Sequence, residues 1–283
     1  MSMLYEKGYN LKISKFTQLG NSLVQLCNAI NVGIQTKSLV VMPEIGTCSE
    51  AFDLLKDVPN FDFRKGNSCN DTLESKFFFT NESFNYRLIN KERREILQGF
   101  ILPNLNLIDS DFVRDDTLVI HIRSGDIFGG WTHENYVQPP LSYYQKIIEE
   151  GDYSDVLVIT QADKSNPCIE GLLSWNSNIN IQCGSLREDV SAILGARNLV
   201  IGFGTFGWML SLLSERIYKL YCPRVTTDLF PSHFEIPPFT IKRYNFNNYI
   251  EIGEWKNTKE QRKLMLSCSK EKVEEHYVNE YKL

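Results

Sequence analysis

From Leu118 the chain runs Leu-Val-Ile-His-Ile and then turns polar without transition at Arg123-Ser-Gly-Asp126. An apolar strand that stops in a knot of polar side chains is a mark of an open α/β sheet. There, ligands sit in the crevice outside the carboxyl ends of the strands. Tight packing along the strand delivers His121, Arg123 and Asp126 to one end, and Gly125 lets the backbone turn sharply behind them. An arginine fixed at that point offers a planar, permanently charged fork suited to a phosphate. The spacing predicts a nucleotide or sugar-phosphate site.

The rest of the chain fits such a sheet. Residues 11–16 read as a first strand, 17–21 as a turn, and a helix begins near Ser22 with Leu23, Leu26, Cys27 and Ile30 at helical spacing. Residues 38–42 form the next strand, closed by Pro43. Residues 44–75 are rich in Asn, Asp, Gly and Ser and read as loops with short elements. Phe77-Phe-Phe79 reads as a buried strand and 91–100 as an amphipathic helix. The charged stretch 109–116 is the best linker. Beyond it strands at Thr117–Ile122, 156–160, 199–201 and 218–221 alternate with helices at Leu141–Glu150, 168–175, 186–194 and 206–213. That alternation implies a parallel sheet with helices on both faces. A polar helix is expected over 258–277. The predicted architecture is α/β with two Rossmann-like domains facing each other across a cleft. Residues 1–115 form the first domain and 116–240 the second, nucleotide-binding one, while 241–283 form a helical tail packing back on the first.

Composition narrows the function. The 283 residues, 42% of them hydrophobic, are enough for a large core, and the net charge of −5 argues against non-specific nucleic-acid binding. No apolar run approaches the roughly 20 residues of a membrane span, and the first ten residues lack a signal-peptide core. The seven cysteines are odd in number, scattered and never spaced as C-x-x-C, so reduced thiols are expected rather than a disulfide framework or a zinc site. N-x-S/T sequons at Asn70 and Asn81 are taken as chance occurrences.

Three further motifs bear on the site. Gly20-Asn21, between the first strand and its helix, would let backbone N–H groups approach an anion at the helix N-terminus, an ordinary βα turn being the alternative. Gly202-Phe-Gly-Thr-Phe-Gly-Trp208 follows a strand, with glycines that allow close backbone approach and Thr205 placed to cap the next helix and donate to a phosphate. No lysine follows it, so it is not a P-loop. Asp109-Ser-Asp111 has the D-x-D form of a divalent-cation ligand, but its charged surroundings read as a solvated loop and no metal is expected.

Taken in order, these motifs resemble the fucosyltransferase superfamily that includes the α1,2-, α1,6- and protein O-fucosyltransferases. Gln18-Leu-Gly-Asn-Ser22 resembles its G-x-L-G-N-Q loop, with Ser22 in place of Gln. His121-Ile-Arg-Ser-Gly-Asp126 resembles its H-x-R-R-x-D signature, with Ser124 in place of the second Arg. Asp189 with Thr205-Phe-Gly-Trp208 resembles its third signature, and Val158-Ile-Thr-Gln161-Ala-Asp163 sits where the family carries a polar strand end. The resemblance spans residues 18–208.

The resemblance implies a two-domain GT-B fold and an inverting, metal-independent transfer of L-fucose from GDP-fucose to a hydroxyl of a glycan or glycoconjugate, with no cofactor. By the same resemblance, Arg123 would hold the β-phosphate and stabilise the departing diphosphate, and His121 would contact the donor. Gly204, Thr205 and Phe206 would line the phosphate and base, and Asp189 would orient the nucleotide. Gly20 and Asn21 would close over the pyrophosphate, and Asp126 would hold the arginine and its loop. Glu134, in the Trp131-Thr-His-Glu-Asn135 loop, falls where the α1,6 branch places a catalytic glutamate, with His133 as its neighbour. Other readings stay open: another GDP- or UDP-linked sugar such as a pentose or a different deoxyhexose, a metal-dependent enzyme using Asp109 and Asp111, or a non-catalytic glycan-binding module. The expected partners are a nucleotide-sugar donor and a glycan acceptor, with no nucleic acid and no integral membrane segment. The expected location is the cytoplasm (bacterial, viral or host cytosol), or the secretory lumen only if an anchor has been removed.

Overall fold

The computed structural model describes residues 8–64, 70–77, 88–129, 137–224 and 239–276. The chain divides into two compact units, the first built on Met1–Ile108 with Trp208–Glu215 and the second on most of the remainder. Both are α/β.

In the first unit, β1 (Asn10–Ile13) leads into α1 (Leu19–Thr36) and returns as β2 (Leu39–Val41). It continues through α2 (Ser49–Leu55), β3 (Phe61–Asp62), β4 (Thr72–Ser75) and α3 (Asn90–Ile96). The strands lie in the order β3-β2-β1-β4, with β1 parallel to β2 and β4, and β3 antiparallel to β2. Leu19, Leu23, Leu26 and Ile30 bury one face of α1. The helix comes so near the sheet that a Cβ on Gly33 would stand 2.6 Å from the Val40 side chain. It stops at Lys37, which takes a left-handed φ of 52° and donates its N–H to the Gly33 carbonyl.

Two expectations for this unit are corrected. Helix α1 starts at Leu19, so Gly20 and Asn21 are its first turn and not a loop before it. Ser22 explains the early start. Its Oγ accepts from Thr17 N–H at 3.0 Å and reaches back to the Thr17 and Gln18 carbonyls, closing the turn ahead of the helix. The strand expected at Phe77-Phe-Phe79 is instead β4, a few residues earlier. Phe77 is buried, but at a φ of 49° it cannot continue a strand. Residues 78 and 79 lie outside the described residues.

The second unit begins at Asp109. It runs β5 (Thr117–Ile122), α4 (Leu141–Glu150), β6 (Asp155–Thr160), α5 (Pro167–Trp175), β7 (Ile179–Gln182), α6 (Leu186–Gly195) and β8 (Asn198–Val200). There follow α7 (Thr205–Leu213), which belongs to the first unit from Trp208 on, β9 (Lys219–Pro223), β10 (Thr240–Phe246), α8 (Lys259–Ser267) and β11 (Val273–His276). The seven strands lie in the order β7-β6-β5-β8-β9-β10-β11, all neighbours parallel except the last pair. From β5 the chain moves outward to β6 and β7, then returns to place β8 on the other side. The order therefore reverses between β5 and β8, which is where a doubly wound sheet opens its ligand crevice.

Strand β5 is central and covered on both faces, as its composition requires. Leu118, Ile120 and Ile122 join the core with Tyr143, Tyr144 and Val158, while Val119 is fully buried on the other side. Burial of each such aliphatic contributes about 1.5–3 kcal/mol relative to exposure. Side chains alternate along a strand, so His121 and Arg123 leave on the same face as Val119.

The segment read as a linker is part of this unit. Val113 is buried, and Asp115 accepts from both Arg197 and Arg216 at 2.8 Å. The C-terminal tail is also corrected. It does not pack as a helical appendage of the first domain but completes the second sheet, with β10 on β9 and β11 on β10. Its Tyr244, Tyr249, Trp255, Met265 and Val273 belong to the core of the second unit. Without them β9 would be an open edge. The expected helix over 258–277 is α8 alone, opened by a reciprocal Thr258–Gln261 capping box. Its last turn ends before Val273, whose side chain is drawn into the sheet core as β11. No helix among the described residues is long and apolar enough to cross a membrane.

Candidate functional site

The carboxyl end of β5 and the loop after β8 meet at the point where the strand order reverses. Arg123 emerges from β5 with its guanidinium partly exposed, and its Nη2 donates to both Asp126 carboxylate oxygens at 3.0 and 2.9 Å. The Nη1 edge faces Gly204, where an added Cβ would stand 3.3 Å away. Gly204 has a φ of +120°, a conformation L side chains rarely adopt, so the close approach and the backbone shape both call for glycine. Helix α7 starts at the next residue, Thr205, and points its N-terminus at the same space.

His121, one pleat down on the same face, packs against Phe206 with ring centroids 4.8 Å apart. Its Nδ1 lies 3.5 Å from where a Cβ on Gly207 would be. His121 keeps some surface, yet the protein crowds its ring. Desolvation, and then the Arg123 charge, lower its pKa from 6.5 to about 4. The imidazole is therefore neutral at pH 7 and can present one donor and one acceptor.

That shift has a measurable sign. The unfolded histidine takes up a proton near pH 6.5 and the folded one only near 4, so the unfolded state binds more protons in between. The contribution of the neutral ring is present above pH 6.5 and is lost as pH falls towards 4. In urea unfolding at about pH 7 and about pH 5, wild type is expected to lose more stability than His121→Asn. Equal losses would show that the ring is not held neutral.

The loop carrying Arg123 is fixed from β6. Ser124 is fully buried, and its Oγ shares a 3.0 Å hydrogen bond with Thr160 Oγ1 and accepts from the Asn166 N–H at 3.2 Å. The Ser124 N–H donates to Gln161 Oε1 at 3.0 Å, and the Gly125 N–H to Ser165 Oγ at 2.8 Å. Gly125 turns with a φ of +71°, and a Cβ there would meet the Gln161 amide at 2.8 Å. Below it, Trp255 Nε1 donates to the Ile127 carbonyl at 3.2 Å, and Asn257 and Arg262 donate to the Phe128 carbonyl at 2.8 and 3.2 Å. The loop is thus held from two directions.

His121, Arg123, Asp126, Gly204, Thr205 and Phe206 are brought together in the second unit. Asp189 is placed apart from them. It lies in the first turn of α6 and accepts from Gln182 Nε2 at 2.9 Å, at the end of β7, two strands from β5. Gly20 and Asn21 belong to α1 in the first unit. Glu134 and His133 lie outside the described residues. Asp109 Oδ1 accepts from the Asp111 N–H at 2.9 Å, closing a local turn. No cluster of three potential metal ligands occurs among the described residues.

Of the residues that hold the loop, Thr160 lies in the Val158–Asp163 strand end that the resemblance covers, whereas Ser165 and Asn166 belong to no motif in the sequence. One signal was present: Asn166-Pro167, an N-cap followed by proline at the first helical position, marks the start of α5 beside the crevice.

The fold and this geometry define a doubly wound α/β domain with an arginine at its switch point. No family model matches the chain, and no curated protein or solved structure matches it significantly.

Proposed function

We propose that the chain is an inverting, metal-independent glycosyltransferase of the GT-B type that takes L-fucose from GDP-fucose to a hydroxyl of a glycan or glycoconjugate. The observation that carries this reading is the convergence of Arg123 with the N-terminus of α7 at the switch point between β5 and β8. Breaking a glycosyl–phosphate bond develops negative charge on the leaving diphosphate. A guanidinium and a helix N-terminus directed at that charge stabilise it without a cation.

In this reading the exposed Asp126 carboxylate holds the fork of Arg123 until a phosphate competes for it. The neutral His121 hydrogen-bonds the donor without adding repulsion to Arg123. Thr205 and the backbone beside Gly204 take phosphate oxygens, and Phe206 offers a flat apolar surface to the base. In this reading Glu134 would take the acceptor proton.

The burial of Ser124 favours a second reading, transfer of another sugar on the same frame, because the position that bears an arginine in the fucosyltransferase signature points into the protein here. A thermal-shift panel in EDTA separates the two. GDP and GDP-fucose are expected to raise the melting temperature, and stabilisation only by UDP-sugars would overturn the fucose assignment. Stabilisation that needs a divalent cation would overturn the metal-independent mechanism.

A further inference from the structure

We propose that Asn166 is the positioning residue of the arginine, setting the direction in which Arg123 leaves β5. This rests on the reading of Arg123 as the phosphate grip. Asn166 is 1% exposed and sits at the mouth of the loop after β6. Its Nδ2 donates to the Arg123 carbonyl at 2.9 Å, its Oδ1 accepts from the Cys168 N–H at 3.0 Å, and its own N–H donates to Ser124 Oγ at 3.2 Å.

The residue type separates this role from plain helix capping. Capping α5 needs only an acceptor, and Ser, Thr or Asp supply one. Asp cannot donate to the Arg123 carbonyl, and a Ser hydroxyl is too short to cap the helix and reach that carbonyl at once. The side-chain amide of asparagine does both, with its two ends assigned by opposite partners. Water cannot substitute at so buried a position. The peptide of Arg123 is thereby pinned to the start of a neighbouring helix, so the guanidinium is held to the Gly204 side of the crevice by an element that never touches the ligand.

The test is a double-mutant cycle on the full chain, with GDP as the probe in calorimetry under EDTA. Asn166→Ser keeps the cap and loses the donation to Arg123, and its GDP affinity is expected to fall about tenfold, the loss of one hydrogen bond's worth of alignment. Adding Asn166→Ser to Arg123→Ala should then change nothing further, because Asn166 acts only through Arg123. Amide exchange at Ser124 and Gly125 should quicken in the single variant. Wild-type affinity in Asn166→Ser overturns the proposal. So does an equal further loss on the Arg123→Ala background, which would mark general loosening of the fold. Asn166→Asp, of nearly the same size and still a cap, replaces it in the cycle if the serine variant does not fold. Failure of the wild-type chain to bind GDP would overturn the donor reading and this role with it, and it shows before any substitution is made.

Discussion

Arg123→Ala should weaken GDP binding by about a hundredfold, leaving it measurable by calorimetry at high GDP, and lower turnover by about 10²–10³, the usual cost of removing one preorganised group from a developing charge. Its effect on stability should be small. The guanidinium bonds an exposed carboxylate, and exposed pairs of this kind contribute no more than about 1 kcal/mol. The contrast is diagnostic: a variant with nearly wild-type melting and a much weakened ligand response isolates the role in recognition. Arg123→Lys should fall between the two, since an ammonium supplies the charge but not the planar fork that spans phosphate oxygens. Calorimetry with GDP and a fucosyl-transfer assay measure both. Undiminished GDP binding in Arg123→Ala would mean that the crevice is not a phosphate grip, and would favour a glycan-binding module.

Ser124→Arg, which restores the residue pattern H-x-R-R-x-D, should destabilise the chain by about 3–5 kcal/mol. The wild-type side chain has no exposed surface and is bonded to Thr160 and Asn166. A guanidinium there would break both bonds and leave a charge buried without a counter-ion. That cost is a large share of the roughly 5–15 kcal/mol that holds a typical domain together. Equilibrium urea unfolding should show the midpoint falling sharply, while Ser124→Thr, which keeps the hydroxyl, should lose much less. A Ser124→Arg chain of normal stability that binds GDP more tightly would show that the loop can re-form around a second arginine.

The sequence carried the second sheet unevenly. Strand β5 stands out as a near-continuous apolar run of six residues and helix α4 by its helical period over ten, and the expected bounds of both match the structure to the residue. Strand β7, Ile-Asn-Ile-Gln, is four residues at the edge with only two apolar positions, too short to announce a period. Strand β11 carries Glu274 and Glu275 beside Val273, so these residues read as the end of a polar helix, and Lys242 and Arg243 hide β10 in the same way. The site divides in the same way. Arg123 and Asp126 are neighbours in sequence, and their pairing follows from local geometry. Ser124 with Thr160, and Arg123 with Asn166, are separated by 36 and 43 residues, and only the pairing of β5 with β6 brings them together. Asp189 matched a motif, but a motif says nothing about which strand end will receive it.

The clamp that the tail places beneath the Arg123 loop has a consequence for how the protein is made. Ile127 and Phe128 present their carbonyls to Trp255, Asn257 and Arg262, residues synthesised about 6 to 27 seconds after them at a rate of about 5–20 residues per second. Until those side chains leave the ribosome, the turn behind the arginine has no floor. A nascent chain halted near residue 224 would carry every residue of the phosphate grip and still be unable to hold it in shape. On the proposed reading, the phosphate grip therefore takes shape only once the segment carrying Trp255, Asn257 and Arg262 has been made.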